Sequence, residues 1–179
     1  MNSSEILKEN YKWPLMKDTI TFIDRVRMIK FIATTDRFTY GAKVKKFEDN
    51  WNNWLGSKFS LFVSSGSTAN LLLLSAIKEL YGLKNNDKVL VPACTWVTNV
   101  APVIQLGFEP VFADINTVNY SFCLSDLKKI KEKHPDIKLI FITHLLGLNA
   151  NKAEIQKIFP EALLIEDVCE SPGITDKNG

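Results

Sequence analysis

From Phe59 onward, short apolar runs alternate with amphipathic stretches, and this alternation leaves few folds open. The runs are Phe59–Val63, Lys88–Pro92, Pro110–Asp114, Lys138–Thr143 and Ala162–Asp167. Between them, Thr68–Tyr81, Thr95–Gln105, Ser125–Lys133 and Asn151–Phe159 carry apolar residues at helical spacing. Short, nearly continuous apolar strands separated by helices predict an α/β fold, a mainly parallel sheet with helices on both faces. In such sheets the binding site lies beyond the carboxyl ends of the strands. Those ends carry Ser65-Gly66-Ser67-Thr68, Cys94-Thr95-Trp96, Asp114, His144, and Asp167 with Glu170.

Ahead of this alternation, residues 1–16 read as an arm ending in Tyr11-Lys12-Trp13-Pro14. A helix is expected from Asp18, as its cap, to about Thr34. A second runs from Ala42 to Trp54 with Gly56 closing it. The chain of 179 residues is 46% hydrophobic, enough for a substantial core. A net charge of +2, with scattered Lys and Arg, gives no footing for nucleic-acid binding. No apolar run reaches the length of a membrane span, and the start lacks the marks of a signal peptide. Three separated cysteines fit reduced thiols of a cytoplasmic protein, with neither a disulfide frame nor a metal site. At the far end, Asn178-Gly179 is a hairpin signal with no second strand after it. The expectation is the front part of a longer protein.

Several strand-end residues could carry chemistry. The turn Ser64-Ser65-Gly66-Ser67-Thr68 runs from an apolar stretch into a leucine-rich helix. Free N–H groups and the positive end of the helix dipole bind anions, above all phosphate. The same turn could be a helix start capped by Ser67. It is neither a Walker loop nor a dinucleotide fingerprint, because the later glycines and lysine are missing. Trp96 could stack on a flat ring or pack against the next helix. Asp167, at the end of an apolar strand, could hold a proton on a ring nitrogen or cap the following turn. His144 could be a hydrogen-bonded structural residue or an acid–base group. Phosphate cradle, stacking aromatic and ring-nitrogen carboxylate are together three needs of pyridoxal phosphate.

Val63-Ser64-Ser65-Gly66-Ser67-Thr68-Ala69-Asn70-Leu71, Val91-Pro92-Ala93-Cys94-Thr95-Trp96-Val97-Thr98, Pro110-Val111-Phe112-Ala113-Asp114-Ile115, His144-Leu145-Leu146-Gly147 and Ile165-Glu166-Asp167-Val168-Cys169-Glu170-Ser171 follow in order. In order and spacing they resemble the sugar aminotransferase (DegT/StrS) family of fold-type-I pyridoxal phosphate enzymes. The resemblance runs from about Asp36 to Gly179, and Arg37–Gly41 looks like the family's segment near the substrate. It implies that Gly66, Ser67 and Thr68 hold the cofactor phosphate, that Trp96 stacks on the ring, and that Asp167 pairs with the ring nitrogen. Glu170 matches a position beside the ring hydroxyl, and His144 counts with Asp167 and Glu170 as a candidate catalytic residue. The Ser-Ser-Gly-Ser-Thr-Ala-Asn turn and the Glu-Asp-x-Cys-Glu-Ser run are similar to the nucleotide-sugar 3-dehydratase branch.

The implied function is modification of a nucleotide-linked 4-keto-6-deoxy sugar by amino transfer or C-3 dehydration. The implied cofactor is pyridoxal or pyridoxamine 5'-phosphate, with glutamate as amino donor and a homodimer as the assembly. The implied division is an arm and helix over 1–35 and the N-terminal part of the cofactor-binding large domain over 36–179. The family's Schiff-base lysine, or the histidine that replaces it, is expected beyond Gly179, so this stretch alone is not expected to turn over. Two other readings stay open: a non-catalytic remnant that binds a phosphate ligand or a partner, and a generic nucleotide-binding domain. The second leaves Trp96 and Asp167 unexplained.

Overall fold

The computed structural model describes residues 18–175. The Tyr11–Pro14 arm and the Asn178-Gly179 turn lie outside the described residues. The elements in chain order are α1 (Phe22–Thr34), α2 (Ala42–Leu55), α3 (Gly66–Leu80), β1 (Lys88–Pro92), α4 (Val97–Gln105), β2 (Glu109–Ala113), α5 (Leu124–Lys133), β3 (Leu139–Thr143), a 3-10 turn (Leu145–Gly147), α6 (Lys152–Ile158) and β4 (Leu163–Asp167).

Among the described residues the strands form one four-stranded sheet in the order β2-β1-β3-β4, with every pairing parallel. The expected α/β class is therefore observed. Side chains alternate across the sheet with period two. Val89 and Val91 of β1, Leu139 and Phe141 of β3, and Ile165 of β4 face a core shared with Leu74 of α3 and Val103 of α4. Leu90, Ile140 and Ile142 face the other way, onto Leu127 of α5, Ile155 of α6 and Phe159. Helices thus cover both faces. The chain leaves β1 for β2 on one side and then crosses to β3 on the other, so β1 and β3 are neighbours without being consecutive. This is the topological switch point, where the carboxyl ends of adjacent strands open a crevice.

The Phe59–Val63 run does not form the expected strand. The Phe62 N–H donates to the buried Glu48 Oε1 at 2.9 Å, and Tyr40 Oη donates to the same oxygen at 3.3 Å. Phe59 is 79% exposed and Leu61 59%. The segment is extended, but no neighbouring strand among the described residues takes up its backbone groups. Several helix starts also differ from expectation. The α1 cap is Thr21 in a reciprocal box with Asp24, and Asp18 instead accepts from the Ile20 N–H. The α3 cap is Ser65, not Ser67. Helix α5 starts after Cys123, and no side chain of Ser125 or Asp126 caps it. Gly56 closes α2 as expected, in the left-handed conformation at φ 74°. No helix of the described residues is long and apolar enough to cross a membrane.

Candidate active site

The sheet's carboxyl edge holds a cavity of about 500 Å³. Its walls bring together the start of α3 (Gly66, Ser67), the loop after β1 (Cys94, Thr95, Trp96), the end of β3 (Thr143, His144), and the end of β4 with the segment after it (Asp167, Cys169, Glu170). Asp114, at the end of β2, does not line it; its Oδ1 accepts from the Ile115 N–H at 2.8 Å, a local turn.

The turn before α3 works by a capping box. Ser65 Oγ accepts from the Thr68 N–H at 3.2 Å, and Thr68 Oγ1 accepts from the Ser65 N–H at 3.0 Å. Thr68 is thereby engaged on both its backbone and its side chain, and it does not line the cavity. Gly66 and Ser67 occupy the first two helical positions, where an N–H has no intrahelical acceptor. Those two donors, at the positive end of the helix, stand at the cavity wall. An ideal Cβ at position 66 would come 3.6 Å from Cys169 Sγ, an ordinary van der Waals contact.

Trp96 is the N-cap residue of α4, lines the cavity and is 68% exposed. Asp167 sits at the end of β4, where Oδ1 accepts from the Cys169 N–H at 2.9 Å. The Cys169 thiol is pushed up to about 11, first by its hydrogen bond to Asp167, then by burial and the charges of Asp167 and Glu170. It therefore stays a thiol at neutral pH. Glu170 Oε2 accepts from the Leu146 N–H at 2.8 Å, and Ser171 Oγ from the Gly147 N–H at 3.0 Å. These two bonds hold a turn in which Leu146 (φ 53°) and Gly147 (φ 82°) are left-handed.

His144 is buried, and both ring nitrogens are engaged. Nδ1 accepts from the Ala150 N–H at 3.3 Å, which places the ring hydrogen on Nε2, 3.1 Å from Glu166 Oε2. Lys152 Nζ pairs with the other oxygen of Glu166. The Glu166 carboxyl is held below its ordinary range, first by the bond from His144 and, against the cost of burial, by Lys152. His144 borders the cavity, but no free imidazole nitrogen faces it.

A second polar cluster escaped the reading of the sequence. Asn99 is fully buried, and its Nδ2 lies 3.0 Å from both Thr95 Oγ1 and Thr143 Oγ1. Asn70 Nδ2 donates to Asn99 Oδ1 at 2.9 Å and to the Thr98 carbonyl at 3.2 Å. The available signal was an asparagine on the inward, otherwise apolar face of each of two consecutive helices, since a buried amide must be paired.

The arrangement can bind an anion at the α3 start, cover a flat ring with Trp96 and present a carboxylate from Asp167. Among the described residues, no group of three or more His, Cys, Asp or Glu is placed to hold a metal ion.

Comparison with known proteins places the chain among relatives. The profile of the DegT/DnrJ/EryC1/StrS aminotransferase family matches residues 23–179. The chain is 37% identical over 173 residues to the GDP-4-keto-6-deoxy-D-mannose 3-dehydratase of Escherichia coli O55:H7, covering 93% of this chain and 43% of that enzyme. It is 31% identical over 156 residues to the 3-oxo-glucose-6-phosphate:glutamate aminotransferase of Bacillus subtilis, covering 86% of this chain and 34% of that one. A crystal structure of GDP-4-keto-6-deoxymannose-3-dehydratase with a trapped PLP-glutamate geminal diamine superposes with a TM-score of 0.84 at 35% identity, over 92% of this chain and 43% of that one. The chain thus spans less than half the length of these relatives. It belongs to the DegT/DnrJ/EryC1/StrS aminotransferase family.

Proposed function

We propose that the cavity binds pyridoxal or pyridoxamine 5'-phosphate, and that the chain serves an enzyme acting on a nucleotide-linked 4-keto-6-deoxy sugar. The observation that carries this reading is the convergence of Gly66, Ser67, Trp96 and Asp167 on one cavity at the switch point. Each supplies what a different part of the cofactor requires. The Gly66 and Ser67 N–H groups, with the α3 dipole, receive the phosphate. Trp96 covers the ring face. The Asp167 carboxylate keeps a proton on the ring nitrogen. Thr68 serves through the capping box, where its hydroxyl and N–H fix the first turn of α3, and not through a contact with the phosphate. Glu170 and Ser171 hold the Leu145–Gly147 turn beside the cavity. When bound, the cofactor's protonated ring supplies an electron sink.

The reaction is amino transfer or C-3 dehydration of the sugar. The higher identity to the 3-dehydratase, 37% against 31% for the aminotransferase, favours dehydration. Glutamate as amino donor, a homodimer, a cytoplasmic location, and the division into 1–35 and 36–179 belong to the same proposal and rest on family resemblance.

Titration of the full chain with pyridoxamine 5'-phosphate, followed by quenching of tryptophan fluorescence, tests the reading. This amine cannot condense with surface lysines. Saturable quenching, relieved by excess inorganic phosphate and lost in Trp96→Phe, is expected. A purely linear response would end the proposal.

A further inference from the structure

We infer that the buried Asn70–Asn99 amide pair is a positioning device: it fixes the spacing between the α3 start and Trp96, so that one ligand engages both at once. This inference rests on the cofactor reading above. Within a helix each carbonyl accepts from the N–H four residues on. For Thr98 that residue is Pro102, inside α4, which has no N–H. The Thr98 carbonyl takes its hydrogen from α3 instead, from Asn70 Nδ2 at 3.2 Å. The other hydrogen of that amide goes to Asn99 Oδ1 at 2.9 Å. Asn99 Nδ2 then reaches Thr95 Oγ1 and Thr143 Oγ1, each at 3.0 Å. The two hydroxyls lie 2.7 Å apart, so one donates to the other and one hydroxyl hydrogen remains at the cavity. One node thus joins α3, α4, the loop before α4 and the end of β3.

The node stands one helical turn from the groups assigned to the ligand. Asn70 follows Gly66 by four residues and Ser67 by three, which puts it on their side of α3. Asn99 follows Trp96 by three, and its N–H donates to the Trp96 carbonyl at 2.9 Å. Thr143 is the register partner of Asp167 on the adjoining strand. The core around the node is apolar, with Leu74 of α3, Val103 of α4, and Val89 and Val91 of β1. Apolar contact is non-directional, so by itself it lets two helices slide. Hydrogen bonds of fixed length and angle do not. Asn99 is fully buried and Asn70 nearly so. A slip that parted them would leave polar groups unmatched, with no water to replace the lost bonds. The apolar core holds the helices together, and the node sets where they stop.

A ligand that carries both an anion and a flat ring gains from both walls only when their spacing matches its own. Neither asparagine lines the cavity. Both are therefore positioning residues, acting through Gly66, Ser67 and Trp96.

The test compares a joined ligand with its two parts, as dissociation constants in the full chain. Pyridoxamine 5'-phosphate and pyridoxamine are followed by tryptophan quenching, and inorganic phosphate by its competition with the first. The wild type should bind the joined ligand more tightly than either part. In Asn70→Leu/Asn99→Leu, apolar side chains of similar size replace both amides, a change that buried pairs tolerate. The constants for the two parts should stay within about twofold, and that for the joined ligand should weaken by about tenfold.

If that variant does not fold, Pro102→Ala carries the same test. It returns an N–H to α4 for the Thr98 carbonyl and so loosens the tie to Asn70. The joined ligand should weaken by about threefold while thermal stability is held or raised, a pairing that a purely structural role does not give. An unchanged constant for the joined ligand, all three constants weakened in proportion, or Pro102→Ala losing stability together with affinity overturns the inference but leaves the cofactor reading standing. Failure of the wild type to bind pyridoxamine 5'-phosphate overturns both.

Discussion

Two polar networks end β3 of this protein, and they differ in one respect. On one side, His144, Glu166 and Lys152 form a network in which both imidazole nitrogens and both carboxylate oxygens are matched by protein groups. On the other, Asn70, Asn99, Thr95 and Thr143 form a network with one hydrogen left over at the cavity. The first is satisfied by the protein and ties the end of β3 to β4 and to the start of α6. The second leaves that hydrogen toward the cavity. A titratable group at a strand end is therefore a weaker guide to function than its unused bonding capacity. His144 is the more reactive residue type, yet the threonines are better placed to meet a ligand.

The largest expected effect falls on the cavity side. Asp167→Asn, made in a full-length enzyme containing this chain, removes the charge that retains the ring proton. Turnover should fall by about a hundredfold or more while cofactor still binds. Equal turnover in single-turnover kinetics would remove Asp167 from the chemistry.

On the closed side the effect should be on stability alone. Glu166→Ala strands the buried His144 Nε2–H and should destabilise the fold by about 1–3 kcal/mol in urea unfolding. The affinity for pyridoxamine 5'-phosphate should stay the same. A change in affinity with unaltered stability would reverse the comparison of the two networks.

A subtler mark of the same network is its pH dependence. The Glu166 carboxyl is depressed in the folded state, so its contribution is fully present above its ordinary value of 4.5. It is lost as pH falls through the lower folded value. Glu166→Gln should therefore flatten the acid limb of the stability curve below that range, as measured by thermal unfolding at stepped pH. An acid limb as steep as that of the wild type would detach Glu166 from acid sensitivity.

Much of this arrangement could be read from the residues. The runs at Lys88, Pro110, Lys138 and Ala162 are β-rich and apolar on both faces, which is what buried parallel strands require. Gly56 and the small-residue turn at Ser65 marked a helix end and a helix start. Phe59–Val63 misled because its side chains suit a strand, but a strand needs a neighbour, and Glu48, eleven residues before Phe59, takes the Phe62 N–H instead. Thr21-x-x-Asp24 was a legible capping box, displaced in the reading by the nearer acid at Asp18. Asn70 and Asn99 were visible as amides on apolar helix faces. Their partners in space are 29 residues apart for the amide pair and 44 for Asn99 with Thr143, so no local pattern joins them. His144 was legible as a strand-end residue. Its engagement on both nitrogens depends on Glu166 and Ala150, which only the folded backbone brings to it.

The most direct test of the cofactor site is a crystal structure of the chain grown with pyridoxamine 5'-phosphate. The expected result is phosphate density at the Gly66 and Ser67 N–H groups, the ring against Trp96, and the ring nitrogen on Asp167. Density for the ligand outside this cavity, or inside it with the phosphate turned toward Asp167, would contradict the account.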